Sequence, residues 1–313
     1  MTENRGLLSG GWSMVTHNKR YIFWFWLLNI TLAEFGVSSF RSQAHAILDH
    51  NTYSSRLLSG FDVGVLVDMF ARPESGAPAA MSVPAFFFAF VFFIVMAAFL
   101  PGVFQGYASN YRLPRDEFFR ACGRNLWRFI RLLIMAGIVM GVVAGILFAI
   151  QGALVKKAGD STNELLPFEL QMTILAVIFL VMTTLRIWFD LAEADVVLSD
   201  QRAVRRSIGK GFRHMWRNLG TLLGAYVLAT IVAAIILGGG ILVWMKFVPA
   251  ASVVGAVIVS QFTLLLLLIP RFWQRGIAVA YWQREMMVHA VPPLATPPAT
   301  VPSAVVASSA PVI

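Results

Sequence analysis

Apolar residues run almost unbroken through six stretches of the chain: 21–37, 84–104, 129–155, 170–185, 219–245 and 250–269. A transmembrane helix needs about 20 mainly apolar residues to cross about 30 Å of hydrocarbon, so each stretch predicts a span. Backbone polar groups must be satisfied internally in lipid, which leaves helices or a closed barrel. Barrel strands alternate in polarity, and these runs do not. The predicted fold class is therefore all-α: a polytopic membrane bundle of six transmembrane helices, paired as three hairpins. The second stretch is dense in phenylalanine, from Phe86 to Phe93, and Pro84 suits a first helical position. The first is the least hydrophobic, holding Asn29 and Thr31 with Glu34 near its end. Ala44-His45-Ala46 downstream offers a small-x-small site, but Arg41 stands between it and the apolar run. An uncleaved anchor is expected.

The polar connections divide the rest. Residues 1–20 form an inner interfacial segment, 21–285 the transmembrane domain, and 286–313 a tail with six prolines in its last 22 residues, too many for regular structure. The outer loop 38–83 is the one sizeable insertion. Within it Ala44, Ile47, Leu48, Leu57 and Leu58 fit a helical stripe, and Phe61 to Phe70 fit a second. The inner loops, 105–128 and 186–218, are basic. Gly11-Trp12 leads to Asn18 before the first span, Gly211-Phe212 to Asn218 before the fifth, and Arg124-Asn125-Leu126-Trp127-Arg128 holds that place before the third. This recurrence fits a threefold repeat of interfacial helix plus hairpin. It equally fits the need of any inward-starting span for aromatic and basic anchors.

Composition sharpens the picture. The chain is 58% hydrophobic and only 13% charged, with a mean hydropathy of +0.72. Soluble domains carry about 25% charged residues, so a water-soluble globule is excluded, as is general disorder. The one cysteine, Cys122, excludes an internal disulfide. The net charge of +9 could suggest nucleic acid, but its distribution does not. With the amino terminus inside, 19 Lys and Arg fall on the inner side and 6 on the outer, while the acids divide eight and eight. The balance is +11 against −2, so both termini are expected to be cytoplasmic.

On a helix, Arg206, Lys210, Arg213 and Arg217 share one face, with Ile208, Phe212, Met215 and Leu219 beside them. Arg120, Arg124, Arg128 and Arg131 repeat the arrangement beside Phe119, Cys122, Leu126 and Phe129. Such stripes suit interfacial amphipathic helices facing anionic headgroups, each charge contributing about 1 kcal/mol. They also suit a purely topological role. Arg186 and Asp190, four residues apart, can pair along a helix. With Glu193, Arg271 and Arg275 they predict a charge cluster knitting the inner ends of the bundle. Gly137, Gly141 and Gly145 make overlapping small-xxx-small steps, as Gly220 and Gly224 do, and predict close helix packing. Gly238-Gly239-Gly240 fits packing or a hinge. His45, Asp49 and His50 have partial metal-ligand spacing, with Asp62 or Asp68 as distant complements. The set falls short of a site, so no metal and no cofactor is expected.

No charged residue lies deep in a span, and no serine-hydrolase, zinc-protease or phosphate-loop motif occurs. Around Ala194-Asp195-Val196-Val197-Leu198, Ala203-Val204-Arg205-Arg206-Ser207, Phe212 and Trp216-Arg217-Asn218-Leu219-Gly220, the chain resembles a broad group of six-span bacterial inner-membrane proteins. In these an A-V-x-R-S turn precedes an amphipathic helix and the fifth span. The group includes the membrane domain of some glycerophosphodiester phosphodiesterases. The outer loop here is longer, and no phosphodiesterase domain is present, so the resemblance implies a bacterial inner-membrane location without that activity. The expected function is a non-enzymatic membrane protein engaging anionic lipid, or a membrane protein partner, at its inner face. The alternatives are a transporter with a path lined by Asn29, Gln151, Thr173, Gln261 and Thr263, and a lipid enzyme using Asp190, Glu193 and Arg271.

Overall fold

In a computed structural model, residues 6–48, 77–109, 111–159, 165–249 and 252–290 are described. They form helices and short connections, with no strand among them. In chain order these are α1 (Leu7–His17), α2 (Lys19–Leu48), α3 (Ala77–Ala108), α4 (Arg115–Gly159), α5 (Leu166–Leu198), α6 (Val204–Arg217), α7 (Leu219–Phe247) and α8 (Val253–Ala290). Five are long and apolar enough to cross a membrane: Phe86–Ala108 of α3, then α4, α5, α7, and Val253–Met286 of α8. The least hydrophobic predicted span lies in α2, which is helical but outside that set.

Several boundaries move. The α2 helix continues to Leu48, into what was predicted as loop. At 1.5 Å per residue, the 45 residues of α4 extend about 68 Å, so the basic segment before the third span and the span itself are one rod. The predicted second loop stripe, the possible ligands Asp49, His50, Asp62 and Asp68, and the proline-rich tail beyond 290 lie outside the described residues; of His45, only the backbone is described. Gly238 to Gly240 stand inside an unbroken α7, where Gly240 lies against Thr263 of α8, so the helix is not broken there.

Consecutive helices pack on one another: α2 on α3, α4 on α5, α7 on α8, with α3, α5 and α8 also in mutual contact. The core is concentrated at the end where the arginine-rich connections lie, hereafter the basic end. Tyr21, Phe104, Phe129, Leu132, Ile187, Leu222 and Ile277 are buried there in one cluster. The far halves of α4, α7 and α8 instead turn Ile138, Ile146, Ile235, Leu242 and Ile258 outward. Outward isoleucine is costly in water and natural in acyl chains.

The small-residue stripes are corrected here. Among the described residues, a side chain at Gly137, Gly141, Gly145, Gly220 or Gly224 would meet nothing within 4 Å. A small-xxx-small step produces contact only if another helix is aimed at it, and these face outward. The close approaches are elsewhere. At Gly11 of α1 a Cβ would come 2.8 Å from the Ile277 nitrogen of α8, and at Gly211 of α6 it would come 3.0 Å from the Trp188 carbonyl of α5.

The short helices α1 and α6 are built alike. Trp273 Nε1 donates to the Leu8 carbonyl at 2.9 Å, and Trp188 Nε1 donates to the Ile208 carbonyl at 2.8 Å; each acceptor lies three residues before the docking glycine. Val15 and Met215 are buried at matching positions. Each helix then ends seven residues after its glycine, at Asn18 (φ −113°, ψ 38°) and Asn218 (φ −123°, ψ 29°). In the third location Asn125 is buried and its Nδ2 donates to the Ala121 carbonyl, but α4 continues through it. There the small residue is on the partner helix: Gly102 of α3 receives Phe118 and Cys122 of α4.

Candidate functional site

The basic end carries two features: a surface band and an interior cluster that opens into a cavity. The band is made by α6 and the start of α4. Docking by Gly211 turns Val204, Ser207 and Met215 of α6 inward and leaves Arg205, Arg206, Arg213 and Arg217 exposed, with Phe212 and Trp216 between them. The stripe read as lipid-facing is thus divided. Met215 is buried and Ile208 packs on the core, whereas Phe212 and Trp216 stay outside, stacked 6.0 Å apart.

On α4, Arg120, Arg124 and Arg131 are exposed, Arg131 over the Trp127 ring at 5.0 Å. Cys122 and Phe129 are core residues, and Phe119 and Trp127 are exposed. Two of the eight predicted headgroup residues have other engagements. Lys210 Nζ lies 3.5 Å from Asp195 Oδ1, on a side chain with no exposure at all. Arg128 reaches Asp200 at 2.6 Å across the turn between α5 and α6. Asp200 sits at φ +46°, a region that Asp and Asn tolerate better than most residues. The Arg128 hydrogen bond, followed by the neighbouring Arg124 and Arg202, holds its carboxyl below the ordinary range. Outside the band, the Glu117 carboxylate accepts from the Tyr111 hydroxyl at 2.9 Å and raises that group.

Inside, the predicted cluster assembles. Arg186 Nε lies 3.7 Å from Asp190 Oδ2, which also accepts from the Tyr226 hydroxyl at 2.9 Å. Glu193 and Arg275 are buried beside them, all within electrostatic reach of one another. Gln274 Nε2 donates to the Tyr226 carbonyl and to Thr230 Oγ1, tying α8 to α7. Trp282 Nε1 donates to the Leu191 carbonyl at 2.6 Å, tying α8 to α5. Sequence reasoning did not single out Tyr226, Gln274 or Asp195. Tyr226 is one polar residue in an apolar run, Gln274 and Asp195 stand beside more conspicuous charges, and each has a partner on a different helix.

A cavity of about 370 Å³ lies between α2, α3 and α8. Phe25, Ile30, Phe92, Met96, Leu264 and Leu268 supply apolar wall, and Arg271 and Arg275 stand at one end. Asn29 and Gln261, two of the five residues read as a transport path, both line it. The others do not: Gln151 and Thr173 are elsewhere on α4 and α5, and Thr263 packs against Gly240 of α7 while its hydroxyl donates to the Val259 carbonyl. A second depression of about 320 Å³, between Trp24, Leu28, Phe99 and Phe119, has Arg115 at its rim. Among the described residues no group of three or more His, Cys, Asp or Glu converges as metal ligands would. No protein-family model matches the chain, and no curated protein or solved structure is significantly similar to it.

Proposed function

We propose that this chain is a non-enzymatic, six-span protein of the bacterial inner membrane, with both termini cytoplasmic, that engages anionic lipid at its cytoplasmic face. The sixth span is α2, whose tilt toward polarity comes from Asn29, Thr31 and Glu34. The orientation rests on the inner excess of Lys and Arg, and the bacterial location on the resemblance carried by residues 194–220. The observation that carries the lipid reading is the exposed band at the basic end. Arg120, Arg124, Arg131, Arg206, Arg213 and Arg217 alternate there with exposed Phe119, Trp127, Phe212 and Trp216. Guanidinium groups pair with phosphate bidentately, while indole and phenyl rings favour the headgroup boundary.

Reversing Arg206, Arg213 and Arg217 to Glu is the test, with Lys210 left in place because it neutralises Asp195. Native mass spectrometry of the intact protein should then show loss of most co-purifying anionic lipid while the thermal transition is retained. Full retention of that lipid would sink the reading. A transporter reading is favoured by one specific observation: Asn29 and Gln261 bring polar groups into the cavity from α2 and α8. Substrate-dependent flux in proteoliposomes, abolished by Gln261→Leu, would establish it.

A further inference from the structure

Beside the surface band, the interior cavity has its own charge, shape and unmet hydrogen-bonding capacity. Arg275 is only 8% exposed, yet its Nε and Nη1 have no hydrogen-bond partner among the described residues. Buried donors are almost always paired, and leaving a charged one unpaired is costly. The guanidinium lies over the Phe272 ring at 5.5 Å and lines the cavity. Arg271, one helical turn earlier on α8, lies at the cavity's exposed edge.

The local charge does not balance. Arg186, Arg271 and Arg275 face Asp190 and Glu193, three positive groups against two negative. Asp190 is already shared between Tyr226 and Arg186. One positive charge is left in excess, at the end of a mainly apolar cavity.

The cavity's length adds a second constraint. Gln261 and Arg275 are 14 residues apart on α8, about 21 Å along the helix axis. One leaflet contributes about 15 Å of hydrocarbon. Arg271 follows the apolar run that ends at 269, so the charged end of the cavity lies at headgroup depth and the apolar remainder lies beside acyl chains. The walls contributed by Phe25, Ile30, Met96 and Leu264 run along that remainder. Trp26, whose Nε1 donates to the Gln261 carbonyl at 3.1 Å, fastens α2 to α8 at its upper part. A volume of about 370 Å³ falls within the usual range of small-molecule pockets, about 300–1,000 Å³.

We infer that the cavity between α2, α3 and α8 is a binding site for one anionic phospholipid. Its phosphate is received by Arg271 and Arg275, and an acyl chain lies along the apolar wall toward Asn29 and Gln261. The site rests on the membrane placement proposed above but uses none of the band residues, so the two lipid-binding surfaces fail independently.

The test uses the full chain, delipidated in detergent and then incubated with phosphatidylglycerol, phosphatidylcholine or inorganic phosphate. Native mass spectrometry and thermal unfolding are the readouts. One phosphatidylglycerol adduct should persist under activation that strips the remainder, and phosphatidylcholine should form it at least tenfold less. Two variants leave the buried Arg275 untouched: Arg271→Gln removes a charge at the mouth, and Ala33→Trp fills the wall. Each should reduce the persistent adduct at least tenfold, whereas the Arg206, Arg213 and Arg217 reversals should leave it unchanged. Persistence of the adduct in both cavity variants would overturn the assignment. So would equal retention of phosphatidylcholine. Stabilisation by inorganic phosphate equal to that by phosphatidylglycerol, insensitive to Ala33→Trp, would reduce the site to an anion site and overturn the lipid.

Discussion

Adding a single methyl group at each of three glycines separates packing that matters from packing that the sequence merely suggests. At Gly11 the new Cβ would lie 2.8 Å from the Ile277 nitrogen and 3.0 Å from the Gly276 carbonyl carbon. Ordinary contact begins near 3.4 Å, so α1 must withdraw from α8 by roughly 0.6 Å. The obstruction is backbone, which cannot rotate away. At Gly211 the nearest atoms are the Trp188 carbonyl at 3.0 Å and the Ala192 nitrogen at 3.1 Å, requiring about 0.4 Å. Overpacking of this kind costs about 1–3 kcal/mol, offset by up to about 1 kcal/mol from replacing Gly with Ala in a helix. Gly11→Ala should therefore destabilise by roughly 1–2 kcal/mol, and Gly211→Ala by somewhat less. Gly141→Ala meets nothing within 4 Å and should be neutral or slightly stabilising. Withdrawal of α1 would also lengthen the Trp273–Leu8 hydrogen bond, so tryptophan emission in nanodisc unfolding should report it. Equal destabilisation at Gly11 and Gly141, or a stabilised Gly11→Ala, would refute the docked geometry.

Three further outcomes follow from the ion pairs. Tyr226→Phe removes the hydroxyl donated to buried Asp190 and should cost about 1.5–3 kcal/mol in thermal or denaturant unfolding; no loss would mean that Arg186 alone satisfies the carboxylate. Lys210→Met leaves buried Asp195 with Ser199 alone and should cost about 1–3 kcal/mol, whereas Arg213→Met, exposed on the same helix, should stay within about 0.5 kcal/mol; equal effects would put Lys210 back among the headgroup residues. Asp200→Asn keeps the left-handed backbone but loses the charge. Because Arg128 holds the Asp200 carboxyl low, its stabilisation is present above the unfolded value, about 3.9, and fades as pH falls through the lower folded one. The wild-type advantage in unfolding midpoint should accordingly be present at pH 7 and diminish below about pH 4. An advantage that grows on acidification would contradict it.

The helices were legible because lipid imposes a length and an apolarity that a linear chain cannot conceal. The interior charge cluster was legible too, since Arg186–Asp190 and Arg271–Arg275 keep helical spacing. What the linear chain withheld is direction. The stripe Gly137-Gly141-Gly145 and the docking glycines Gly11 and Gly211 are the same residue type in the same kind of helix, and only the location of a neighbouring backbone distinguishes them. Lys210 belongs to an even basic stripe by spacing, but rotation of α6 onto α5 takes it to Asp195. The cavity was visible only as isolated polar residues, Asn29 and Gln261, because its walls come from three helices, two of them more than two hundred positions apart.

The docking of α1 on α8 also dictates a schedule. Leu8 and its partner Trp273 are separated by 265 residues, and ribosomes add about 5–20 residues per second. For roughly 13–53 s after its own synthesis, α1 waits without the helix it is shaped to meet, and so does the face of Gly11 that admits no side chain. Closure of this part of the basic end therefore waits for α8, which acts as its latch. Until α8 arrives, the nascent chain exposes a short, tryptophan-bearing helix whose docking partner is not yet made.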